Sequence, residues 1–103
     1  MGARASVILT QKGSPKSPVL CQHWGGTAFH EDVRKWILSL YAEDHSKDGM
    51  NPWNRLEPGR VFVRLVQKFG TDGYVERERK NVDDSDYGCL YVELGKDEPT
   101  FSI

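Results

Sequence analysis

The residues best suited to chemistry gather in one stretch, Cys21-Gln22-His23-Trp24-Gly25-Gly26-Thr27, where an apolar run ends and a helical pattern begins. If the run is a strand, Cys21 and His23 share one face and Leu20, Gln22 and Trp24 share the other. With His30 a few residues on and Cys89 far along the chain, Cys21 and His23 form a set of donors of the kind that zinc accepts. The spacing matches no compact zinc motif, because no paired C-x-x-C knuckle occurs. Buried thiols and a histidine hydrogen-bonded at a helix start account for the same residues, so neither metal nor cofactor is assigned.

His23 beside Cys21 or Asp32 would suit general-base or nucleophilic chemistry, since a nearby helix N-terminus favours the neutral imidazole. Gly25-Gly26 ahead of unsatisfied backbone N–H groups could receive an anion. Neither G-x-G-x-x-G nor G-x-x-x-x-G-K-[ST] is present, however. No catalytic motif is complete, and no residue is given a catalytic role.

Three further groupings are weaker. Asp83, Asp84 and Asp86 lack the spacing of a calcium loop and read as a solvated turn. Arg60, Arg64 and Lys68 step by four along one helix face, which suits phosphates or simply solvent. Trp24, Trp53, Tyr74, Tyr87 and Tyr91 are of the types favoured at protein interfaces, whereas Trp36 falls on an apolar helix stripe and reads as core. The expected binding surface therefore comprises His23, Trp24, Gly25, Gly26, Thr27, His30 and Trp53.

The elements that must position these residues follow from periodicity. Ala5 to Gln11 and Val19 to Trp24 read as strands, separated by the turn-rich Gly13-Ser14-Pro15-Lys16-Ser17-Pro18. After Gly25-Gly26, Thr27 is a suitable N-cap. Phe29, Val33, Trp36, Ile37, Leu40 and Tyr41 then form one helical stripe, with Glu31 and Asp32 expected in the first turn and an end near Asp44. A second helix is bracketed by Pro58 and Gly70. It carries Val61, Phe62, Leu65, Val66 and Phe69 on its apolar side.

Gly73 to Lys80 is of mixed charge and reads either as an edge strand or as a loop. Gly88 to Leu94 alternates as a strand, with Leu90, Val92 and Leu94 opposite Cys89, Tyr91 and Glu93. Thr100 to Ile103 returns as a last strand with Phe101 and Ile103 inward. The expected fold class is α+β: a single antiparallel sheet of about four strands, two helices on one face, order ββααββ.

At 103 residues the chain suits one domain, 1–103. Its apolar residues, 38% of the total, are clustered and periodic, which argues against disorder. A formal net charge of −1 provides no global field to collect nucleic acid or anionic membrane. Two cysteines do not make a secreted disulfide framework. One bridge is conceivable, but reduced thiols in a cytoplasmic protein are the simpler reading. No apolar run approaches the roughly 20 residues that cross a bilayer, and no signal-peptide core is visible.

Met1-Gly2-Ala3-Arg4-Ala5-Ser6 fits a myristoylation pattern, and through Val7 it resembles the start of a retroviral matrix protein. That likeness ends there, because a strand-like Val7-Ile8-Leu9-Thr10 replaces the basic helices of a matrix domain. A single acyl chain without a polybasic partner also binds membranes only weakly. Arg4-Ala5 combined with His23-Trp24-Gly25-Gly26 resembles small uncharacterised proteins of phages and prokaryotes, archaea included. The likeness covers roughly the first forty residues. It implies a cytoplasmic accessory protein and carries no activity or catalytic residue with it.

Together these features point to a non-enzymatic binding or regulatory module acting through a protein partner. Two alternatives remain: a small hydrolase or nuclease using His23, and a nucleic-acid adaptor using Arg60, Arg64 and Lys68.

Overall fold

A computed structural model describes residues 4–23, 25–45, 56–71, 73–78, 88–95 and 98–103. The element order is β1 (Ala5–Thr10), β2 (Val19–Gln22), α1 (Gly26–His45), α2 (Pro58–Phe69), β3 (Gly73–Glu76), β4 (Cys89–Leu94) and β5 (Pro99–Ser102). The class is α+β, with one five-stranded sheet in the order β3-β2-β1-β4-β5.

The sheet is mixed rather than antiparallel. β1 pairs antiparallel with β2, and β4 with β5, as the two expected hairpins require. The central pair, β1 with β4, is parallel, with Val7 opposite Leu90 and Leu9 opposite Val92. Hairpin reasoning pairs neighbours in sequence, whereas this contact joins strands about 80 residues apart, and side-chain alternation does not encode direction. Gly73–Glu76 resolves as the fifth strand, antiparallel to β2 at the sheet edge. Its short length and charged neighbours suit an edge.

β1 is central because both of its faces are apolar enough to bury. Ala5, Val7 and Leu9 join Leu20, Leu90, Val92 and Leu94 under the helices. From above, α1 contributes Phe29, Val33, Ile37, Leu40 and Tyr41, and α2 contributes Val61, Phe62 and Leu65. This places both helices on one face, as expected. On the opposite face Ile8, Val19, Cys21 and Cys89 are also buried, with Tyr74 and Tyr91 packed against them. A buried run of β-branched residues in a central strand is the usual sign of two covered faces.

Side-chain amides and hydroxyls fix the helices to the sheet. Gln11 donates from Nε2 to the carbonyls of Leu56 (2.7 Å) and Leu94 (3.1 Å), tying the entry of α2 to the end of β4. The Tyr41 hydroxyl donates to the Gly95 carbonyl at 2.7 Å. Gln22 donates from Nε2 to the carbonyls of Phe69 and Thr71 and so holds the end of α2 against β2.

Several local expectations need adjustment. The first helix begins at Gly26, so Glu31 and Asp32 lie beyond its first turn, and it runs to His45. The Phe29 N–H donates to the Gly25 carbonyl at 3.2 Å, which makes Gly25 the cap and puts Thr27, exposed, inside the helix. Gly25 has φ +107, a conformation that L side chains rarely adopt, and a Cβ there would lie 3.1 Å from that of Phe29. Ile103 is 70% exposed rather than inward, because β5 ends at Ser102 and only Pro99 and Phe101 turn toward the core. The second helix matches its Pro58 and Gly70 brackets.

Candidate functional site

The residues expected to form a site are divided by the fold. His23 is exposed just beyond β2, with its ring 5.3 Å from that of Tyr74 and tilted by 38°. Gly25 and Gly26 make the turn into α1 with φ values of +107 and +47. Thr27 is exposed on the first turn. Trp24 and Trp53 lie outside the described residues, as do Tyr87 and the acidic run at Asp83, Asp84 and Asp86.

His30 turns inward and is only 3% exposed. Its Nε2 donates to the Ser6 carbonyl at 3.1 Å, which identifies the neutral ring as the Nε2–H tautomer. Burial holds its pKa below the ordinary histidine value. The Ser6 carbonyl opposes that shift, nearby Arg34 reinforces it, and the Gly88 carbonyl and Glu31 oppose it more weakly. His30 is thus a structural link between α1 and the start of β1.

Cys21 and Cys89 do share a sheet face, yet both pair with Ser6, one from each side. β1 therefore stands between them, and two strand spacings put their Cα atoms roughly 10 Å apart. A disulfide needs less than about 7 Å. Neither cysteine is disulfide-bonded, and both are buried. Among the described residues no three His, Cys, Asp or Glu side chains converge in a way that could hold a metal ion. Asp32, the other suggested partner of His23, lines a groove between the two helices instead.

That groove is an open concavity with a volume of about 470 Å³. α1 supplies Asp32, Lys35, Trp36 and Ser39, and α2 supplies Lys68 and Phe69. Trp36 and Phe69 meet edge to face, with centroids 5.8 Å apart and planes at 80°. Phe69 makes a second such contact with Phe29 at 6.0 Å, and the Lys68 Nζ lies 5.8 Å from its centroid. The Ser39 hydroxyl donates to the Trp36 carbonyl at 2.6 Å, and its oxygen keeps lone pairs with which to accept.

Chemically, a lining of this kind can bind. Apolar ring walls and ammonium groups can seat a group and fix its charge, and such mixed lining is typical of binding concavities. Asp32, Lys35, Trp36 and Ser39 recur at helical spacing beside the apolar stripe, which is the one sequence signal that marks this flank. Trp36, read from sequence as core, lies half-buried at the margin of the core. Arg60 and Lys68 are exposed along α2, and Arg64 is half-buried and already engaged.

Among the described residues no helix is long and apolar enough to cross a membrane. Compared with known protein families, curated proteins and solved structures, this chain matches none.

Proposed function

We propose that the protein is a non-enzymatic binding module that acts through a protein partner. Its recognition surface is the groove between α1 and α2 rather than the strand-to-helix joint at His23. The observation that carries this reading is the groove itself: aromatic rings from both helices side by side, with Lys35 and Lys68 on opposite walls. Tryptophan, here Trp36, is among the side chains that dominate binding energy at interfaces. Cys21 and Cys89, unbridged and kept apart by β1, support a cytoplasmic setting.

A second reading, a nucleic-acid adaptor, draws support from α2, which carries Arg60, Arg64 and Lys68 and no acidic residue. The net charge of −1 works against it.

Photo-crosslinking in the source cell tests the first reading. A benzophenone side chain is placed at Lys35 or Ser39, with His23 and Lys12 as comparison positions. Protein adducts that form from the groove positions and not from the comparison positions support it. Adducts from His23 alone, or none from the groove, overturn it.

A further inference from the structure

We infer that the occupant of the groove is an acidic peptide segment that inserts one apolar side chain between the helices. This rests on the reading of the groove as a protein-binding surface and names the chemistry of the partner. Charge distribution is the first argument. Of the three cations on α2, which carries no carboxylate, Lys68 lines the groove. Lys68 from α2 and Lys35 from α1 stand on the two walls, and Asp32 is the single acid in the lining. With two ammonium groups against one carboxylate, the lining is net positive in a chain that is at −1 overall. Carboxylates that flank an anchor side chain are the groups it would attract.

The aromatic geometry is the second argument, and it separates peptide from nucleic acid. Single-stranded nucleic acid binds by laying bases on open aromatic faces. The Phe69 ring is already engaged by Phe29, by Trp36 and by the Lys68 ammonium. What remains is an apolar wall with cations at its rim. A side chain can rest against that open wall and place its neighbours beside the cations. The groove volume of about 470 Å³ leaves room for one large side chain and part of the segment carrying it.

The experiment uses a fluorescein-labelled, glutamate-rich peptide with one central phenylalanine, titrated by polarisation and mapped by amide shifts. The intact chain should bind it saturably, with shifts centred on Lys35, Trp36, Lys68 and Phe69. The Lys35→Glu/Lys68→Glu variant should weaken binding by about tenfold or more and gain affinity for a lysine-rich version of the peptide. Ser39→Trp, which fills the groove and leaves its charges unchanged, should weaken binding too. An alanine in place of the peptide's phenylalanine should do the same.

Equal binding by the charge-reversed variant overturns the inference, as does binding without shifts at the groove. So does a single-stranded oligouridine that saturates these residues when the peptide does not. If the peptide fails while crosslinks still form from Lys35 and Ser39, the binding reading stands and only the acidic class is lost. If both fail, both are lost.

Discussion

His30 and Ser6 are joined by a 3.1 Å hydrogen bond from the imidazole Nε2 to the backbone carbonyl, made inside the protein where α1 meets β1. Desolvation dominates the ring's titration and favours its neutral form. Above pH 6.5, the ordinary histidine value, folded and unfolded chains are both neutral at this site, and its contribution is complete. As pH falls below 6.5 the unfolded chain takes up a proton that the folded chain resists. Stability is lost until the pH reaches the lowered folded value, below which this group adds no further change. Urea unfolding at pH 8 and pH 5 of the wild type and of His30→Gln measures the difference. The wild type should lose more on acidification. An equal loss in the two proteins would refute the assignment.

Ser6 supplies a second test. Its hydroxyl oxygen is buried with no hydrogen-bond partner among the described residues, between Cys21 on β2 and Cys89 on β4. An unmet buried hydroxyl costs stability, so Ser6→Ala should be neutral or stabilising by up to about 2 kcal/mol. A thermal midpoint that drops in Ser6→Ala would show that the hydroxyl is engaged after all. The same row predicts that mild oxidation of the folded protein forms no Cys21–Cys89 bridge. Both thiols should still be alkylated after subsequent unfolding, as intact mass will report.

Much of the fold was legible because it is local. Pro58 and Gly70 bracket the second helix through backbone rules that need no tertiary context. Leu90, Val92 and Leu94 separate from Cys89 and Tyr91 by simple alternation. The direction of β4 against β1 was not legible, since it depends on where the chain goes between distant strands. How the candidate site residues are arranged was not legible for a similar reason. His23 and His30 are close in sequence, but one faces solvent and the other the core, a choice set by the packing of α1. Lys35 and Lys68 come from two helices and meet only once both lie on the sheet.

Gly73 and Gly59 should respond oppositely to alanine. A Cβ on Gly73 would lie 2.5 Å from the backbone carbonyl oxygen of Cys21, so β3 must shift away from β2. Gly73→Ala should cost about 1–3 kcal/mol. Gly59 sits exposed in α2, and a methyl group added there would meet nothing within 4 Å among the described residues. Helix propensity then predicts a gain of about 0.5–1 kcal/mol for Gly59→Ala. Denaturant midpoints decide the matter, and a common sign for the two would contradict the geometry.

Gln22 is the side chain through which the sheet sets the position of Phe69. One amide group donates to the carbonyls of both Phe69 and Thr71, satisfying groups that the end of α2 leaves open. Because Phe69 forms one wall of the groove, loosening this link should move the groove as well as lower stability. Gln22→Leu removes both donors and should cost about 1–3 kcal/mol. Gln22→Glu keeps the shape but places a carboxylate against two carbonyl oxygens, so at neutral pH it should cost more than the leucine variant. Acidification should narrow that gap as the carboxyl gains a proton that it can donate. Unfolding free energies at two pH values, with aromatic proton shifts of Phe69 and Trp36, measure both effects. A glutamate variant as stable as the wild type, with those ring shifts unmoved, would mean that Gln22 does not hold α2.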